Sequence, residues 1–292
     1  DAPDTVEKGE SLWFGAWYRL RKNKMALAGG VFILLLAGLS FIGPFFLEGD
    51  YYTNTVLEDK LTAPGGEYTL GSDHLGRDQL GRIIKGGQIS LLVGLVATFV
   101  SLTIGIGYGT ISGYFGGKID SVMMRIVDIL YSLPFVIFVI LLMVFAKDLG
   151  DSIDEWFRAR GSEFSISGQW NMLLLFVAIG AVEWLTMARI VRGQVMSLRR
   201  QEFIEACISL GLPTRRILFR HMVPNILGPV IVYTTLTIPA VMLLEAFLSF
   251  LGLGVQPPTP SWGLLIKDGA DRMREAWWML VFPGTLFAIT LF

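Results

Sequence analysis

Four ionisable residues interrupt segments that are otherwise apolar: Arg125, Asp128, Glu183 and Glu245. Charge in an apolar setting is costly and marks a functional site by default. Arg125 and Asp128 stand three apart, a spacing that lets them pair along one helix face. Glu183 has no ionisable neighbour in sequence until Arg189, so it either lines a pathway or binds an arginine of another helix. The residue types for catalysis are scarce. The only histidines, His74 and His221, are not in a His-Glu-x-x-His arrangement, and Cys207 is the single cysteine. No serine has a nearby His or Lys base inside an apolar segment, so an intramembrane enzyme has little support. Gly117-Lys118 is followed by Ile119, and no Gly-x-x-x-x-Gly-Lys-[Ser/Thr] occurs. The chain therefore lacks a Walker-type phosphate cradle.

Two further patterns concern packing and docking. Gly105, Gly109, Gly113 and Gly117 recur every four residues, and Ala97 and Ser101 extend the series backward. Such a stripe lets a neighbouring helix approach closely, whether from this chain or another. No strand precedes it, so a dinucleotide fingerprint fails its context test. Residues 201–210 place Phe203, Ile204, Cys207 and Ile208 on one helical face, with Glu202, Glu205 and Ser209 toward the other. Gly211 fits a left-handed cap. Pro213 suits the first turn of a second short helix, holding Arg215, Arg216 and Arg220 and ending near His221. The next segment starts at Pro224-Asn225. This pair of short helices either shields the end of a bundle or docks a partner.

The elements that must position these residues are membrane spans. Of 292 residues, 53% are hydrophobic and 17% charged. Charge-free stretches run over 25–47, 86–117, 129–146, 164–182, 221–244 and 276–292. A spanning helix needs about 20 mostly apolar residues, so six such stretches exclude an ordinary soluble domain. Lone Cys207 excludes a disulfide scaffold. Helices are expected at 25–47, 88–113, 120–146, 168–192, 223–250 and 275–292, with Pro134 kinking the third. Lipid requires each segment to satisfy its own backbone, which helices do.

Lys and Arg set the orientation. Lys8, Arg19, Arg21, Lys22 and Lys24 lie before the first span, and the 192–221 connection carries six arginines against Glu202 and Glu205. The 48–85 and 147–163 connections are net acidic. The N-terminus, the 192–221 loop and the C-terminus are expected in the cytoplasm. Residues 12–24 mix aromatic and basic side chains, as an interfacial helix or a simple flank to the first span would. The chain starts at Asp1 and stops at Phe292 within an apolar run, so natural ends beyond both are expected and the last helix reads as truncated. A net charge of −1 without a basic block gives no sign of a nucleic-acid partner.

Glu205-Ala206-Cys207-x-x-x-Gly211, with Ile217, His221 and Pro224-Asn225, resembles the EAA loop of ABC-importer permeases. Further segments resemble the C-type permease subunit of bacterial oligopeptide and dipeptide importers. These are Leu70-Gly71-Ser72-Asp73-His74-Leu75-Gly76-Arg77-Asp78, Gly113-Tyr114-Phe115-Gly116-Gly117-Lys118-Ile119-Asp120 and Ala188-Arg189-Ile190-Val191-Arg192-Gly193-Gln194. Phe247 to Gly254 and Ser261-Trp262-Gly263 complete the set, which covers nearly the whole chain. Cys207 departs from the family's usual alanine, but it is small enough for an apolar face.

The resemblance implies an all-α, six-span, type I importer permease fold. It implies an inner-membrane, multi-pass subunit forming half of a peptide pathway beside a second, homologous permease. Two cytoplasmic ATPase subunits would bind ATP and Mg, this chain no cofactor, and an extracytoplasmic peptide-binding protein would deliver cargo. Glu205, Ala206, Cys207 and Gly211 inherit the coupling role. From their positions in the chain rather than from the resemblance, Glu183 either lines the pathway and meets a peptide's amino group or binds an arginine of a neighbouring helix, and Glu245 is a candidate for an outer gate. The expected division is 1–24 as a cytoplasmic or interfacial segment, 25–87 as first span and outer loop, and 88–292 as the core with coupling loop 193–222. An ion-coupled transporter or channel is the alternative. It predicts more paired intramembrane acids and internal repeats than are visible here.

Overall fold

A computed structural model describes residues 17–18, 20–46, 51–161 and 167–292. Two compact units divide the chain, Asp1–Gly49 and Asp50–Phe292. Among the described residues the regular elements are helical, with only two isolated bridges, Gly65 to Tyr68 and Ser72 to Asp78. The chain is an all-α membrane protein. Lys24–Phe46, Gln79–Phe115 and Thr214–Phe250 are long and apolar enough to cross a membrane, and Trp278–Leu291 is a shorter apolar helix.

The first unit contains α1, Lys24–Ile42, capped by the Asn23 side chain, which accepts from the Ala26 N–H at 3.2 Å. Residues 12–16 and 19 of the aromatic-basic stretch expected over 12–24 lie outside the described residues. Within it, the Lys22 ammonium sits 4.3 Å from the Tyr18 ring centroid.

In the second unit, α2 spans Gln79–Phe115 and starts nine residues before the expected second span. The reason is its cap: the Asp78 carboxylate accepts from the Leu80 and Gly81 N–H groups. Thirty-seven residues reach about 55 Å, well beyond a hydrocarbon core of about 30 Å. The expected third span is two helices, α3 (Gly117–Ser132) and α4 (Phe135–Arg158). Pro134 has no N–H and holds Leu133 extended, at φ −73° and ψ 132°, so the chain breaks rather than kinks. Then come α5 (Ser167–Leu198), α6 (Glu202–Ser209), α7 (Thr214–Phe250), α8 (Trp262–Asp271) and α9 (Trp278–Leu291).

The short helix expected to end near His221 does not end there. It continues into the long apolar helix α7 through a π-helical stretch, Ile217–Met222. The wider turn makes room for the Pro224 ring, which would otherwise meet a carbonyl one turn back.

The glycine stripe fixes the central contact, between α2 and α5. A Cβ added to Gly105 would lie 2.5 Å from Met187 Cγ. At Gly109 it would lie 2.5 Å from the Ala188 carbonyl oxygen, and at Gly113 2.8 Å from that of Arg192. From the other side, Gly180 meets Val100 and the Ala97 carbonyl. Both sequences ascend together, so α2 and α5 pack in parallel, with Ala97 and Ser101 fully buried along the seam. Gly117 is not part of this seam. Its φ is +53° with open space around it, and it opens α3 after the turn at Gly116.

Candidate functional site

The 199–222 segment is built around Ile204. This side chain is fully buried with Met187, Val191, Val195, Ile217 and Met222, which fastens α6 to the ends of α5 and α7. Gly211, at φ +71°, ends α6. Its N–H donates to the Ile208 carbonyl at 2.9 Å, and the Leu212 N–H donates to the Cys207 carbonyl at 3.2 Å. This is the double bond pattern of a Schellman cap. The apolar face differs from the expectation. Ile204 and Cys207 face inward, but Phe203 and Ile208 are exposed, together with Leu210. Glu205 and Ala206 are exposed beside them. An eight-residue helix has too little surface to bury both faces on its own chain, so its outer apolar side is left open.

An ion pair that local spacing does not announce joins α3 to α5. Asp120, in the first turn of α3, receives both Nε and Nη2 of Arg192 on α5, the latter at 2.5 Å. Ser112 of α2 donates its hydroxyl to the same carboxylate at 2.5 Å. Three helices meet at one carboxylate. Both charged residues lie in segments that carry the family resemblance, and that was their only sequence signal.

The charges expected within the spans sort differently than expected. Asp128 does not pair with Arg125 along α3; it accepts from Arg189 of α5 at 2.8 Å. Helix-to-helix geometry thus overrides the three-residue spacing. The Arg189 guanidinium lies 4.4 Å from the Tyr131 ring centroid, and the Tyr131 and Thr186 hydroxyls are 3.2 Å apart. Glu183 borders a cavity of about 270 Å³ with Leu130, Tyr131, Leu133, Phe138 and Leu244 among its walls.

Glu245 is fully enclosed. Its carboxyl accepts from Ser261 at 2.7 Å and Ser249 at 2.8 Å, with Ser90 at 3.5 Å. It offers no surface to a pathway; it ties α2, α7 and the start of α8 together. Trp262 completes the joint by donating its indole N–H to the Ile83 carbonyl at 3.0 Å. Outside the spans, Asp73 accepts from Arg77 Nε at 2.7 Å and Arg82 Nη1 at 2.6 Å. Burial opposes its charge, but Arg82, Arg77 and backbone N–H donors outweigh this and lower its pKa. Among the described residues no cluster of His, Cys, Asp and Glu could hold a metal ion.

Comparison with known proteins places this architecture. Residues 105–292 match the family described as binding-protein-dependent transport system inner membrane component. Residues 11–64 match the N-terminal TM domain of oligopeptide transport permease C. The oligopeptide transport system permease protein OppC of Escherichia coli strain K12 is 46% identical over 98% of this chain and 87% of its own length. OppC of Haemophilus influenzae is 43% identical over 98% and 85%. The dipeptide transport system permease protein DppC of Bacillus subtilis is 39% identical over 95% and 80%. The chain is a multi-pass inner-membrane permease and belongs to the binding-protein-dependent transport system inner membrane component family.

Proposed function

We propose that this chain forms half of the translocation pathway of an ATP-driven importer of oligopeptides or dipeptides, and that residues 193–222 couple it to ATP hydrolysis. The observation that carries the coupling role is α6: a rigidly capped helix rooted by Ile204, with Phe203, Ile208 and Leu210 facing outward. Glu205, Ala206, Cys207 and Gly211 belong to the docking element. A cytoplasmic ATPase subunit seats on it, and the Asp120–Arg192 pair carries its movement into α2, α3 and α5. The complete assembly has a second, homologous permease, two ATPase subunits that bind ATP and Mg, and an extracytoplasmic peptide-binding protein. This chain holds no cofactor of its own.

Six spans with both termini cytoplasmic fit the parallel packing of α2 and α5, since the second and fourth spans must run in the same direction. Residues 1–24 are the cytoplasmic or interfacial lead, 25–87 the first span and outer loop, and 88–292 the core. The named relatives are oligopeptide and dipeptide permeases, which supports peptide cargo. No observation favours the ion-coupled alternative.

Co-purification of the solubilised native complex tests this reading. Two ATPase chains and a second permease are expected with this subunit, and reconstituted vesicles are expected to import peptide only with ATP and the binding protein. A self-sufficient homo-oligomer that transports without ATP would contradict it.

A further inference from the structure

We infer that Glu183 and Arg189, which share Tyr131 as a neighbour, receive the two ends of a passing peptide: Glu183 its ammonium, Arg189 its carboxylate. The inference rests on the permease reading and deepens it. Tyr131 joins the two positions. Its ring lines the same cavity as Glu183, and the Arg189 guanidinium lies 4.4 Å from the ring centroid.

Glu183 makes no hydrogen bond or ion pair among the described residues. Apart from Tyr131, its named cavity neighbours are apolar. A carboxylate in such surroundings is costly unless a cation with its own donors comes to it. A peptide ammonium carries three N–H donors and fits that need. The cavity, about 270 Å³, is large enough for a residue-sized group.

Arg189 is poised for the opposite charge. Its ion pair with Asp128 is 40% and 58% exposed on its two side chains. Within membrane spans, an exposed ion pair faces water or another protein rather than lipid. An exposed pair also contributes little free energy. An incoming carboxylate can therefore replace Asp128 on the guanidinium fork at little cost, while Asp128 keeps the fork aimed between passages. The spacing suits short peptides. Six residues of helix separate Glu183 and Arg189 by about 9 Å along the axis. An extended tripeptide spans about 10 Å. Longer peptides meet the two positions in succession.

The test uses the complete transporter, reconstituted in vesicles with its ATPase and binding-protein partners, and tri-alanine as the probe. A membrane-permeant carbodiimide, which activates a carboxyl group so that an adjacent amine forms an amide and displaces a urea, is added during turnover. Mass spectrometry is expected to find tri-alanine coupled at Glu183, and no adduct there with N-acetyl-tri-alanine or in Glu183→Gln. Tri-alanine uptake is expected to fall about tenfold in Glu183→Gln and in Arg189→Gln, as for loss of one charge-assisted hydrogen bond. Arg189→Lys is expected to restore most of it. A wild-type assembly that imports tri-alanine without coupling it at Glu183 overturns the inference, as does Glu183→Gln importing at the wild-type rate. Labelling of the wild type decides the matter even if a variant fails to assemble. A wild-type assembly that imports no peptide overturns the permease reading itself, and this inference with it.

Discussion

Asp120 and Arg192, 72 residues apart, meet in a two-pronged ion pair that fastens the start of α3 to the end of α5. Arg192 lies just above the turn into the exposed helix α6. Ser112 adds α2 to the same carboxylate. Three helices thus share one polar joint.

Removing one partner leaves the other's charge unmatched at a partly buried position. Asp120→Ala is expected to cost about 1.5–3 kcal/mol, the range for a lost hydrogen bond to a charged group. Thermal unfolding of the detergent-solubilised complex measures this. A charge exchange, Asp120→Arg with Arg192→Asp, is expected to recover part of the loss. Non-additivity in that double-mutant cycle is the signature of direct contact.

The α2–α5 seam makes a position-specific prediction. Gly109→Ala would place a methyl 2.5 Å from the Ala188 carbonyl oxygen, where only backbone could yield. A loss of about 1–3 kcal/mol is expected, as for overpacked cores. Gly107→Ala, two residues away, faces open space and is expected to be neutral or slightly stabilising. Equal effects at the two positions would mean that the seam is misplaced.

Acid sensitivity of the 51–78 loop is expected to come from His74 before Asp73. His74 is partly buried with Nδ1 unpartnered among the described residues, and burial, with Arg272 nearby, lowers its pKa below the ordinary 6.5. The unfolded loop therefore takes up a proton more readily than the folded one. Its stabilising contribution is complete above pH 6.5 and is lost as pH falls through the lowered value. The Asp73 pKa is lowered from 3.8, so its contribution holds down to about that pH and fades only below it. Hydrogen exchange of the Gly76 and Gln79 amides, corrected for intrinsic rates, is expected to quicken between pH 7 and 5. His74→Gln is expected to flatten that dependence.

Gly211 offers a test of rigidity without a clash. Its surroundings are open, so a substitution is felt only through its positive φ. Gly211→Val is expected to cost about 1–2 kcal/mol in cap strain. It should reduce peptide uptake per ATP hydrolysed. Gly211→Asn, which tolerates the left-handed region, is expected to retain most coupling. Identical uptake and hydrolysis in all three proteins would argue against α6 as a lever.

The all-helical, membrane character was legible because long charge-free stretches admit little else. The Gly105–Gly109–Gly113 stripe announced a close helix contact, and Gly211 with Pro213 announced the cap and turn. Helix limits were less legible. Asp78 moved the start of α2 outward, Pro134 split a span, and a π-helical stretch fused α7 across Pro224. The polar joints were hidden for a simple reason. Glu245 finds its serines at positions 90, 249 and 261, and Asp120 finds Arg192 on another helix. Such partners are set by packing, which local spacing does not encode. The same logic misassigned Asp128, whose partner three residues away lost to one on α5.

The most direct test is contact at α6 itself. A photoreactive residue placed at Ala206 in the assembled, membrane-embedded complex is expected to capture an ATP-hydrolysing subunit, with a yield that changes when a non-hydrolysable nucleotide is added. Capture of lipid alone, or of no nucleotide-binding chain in either state, would contradict the coupling role.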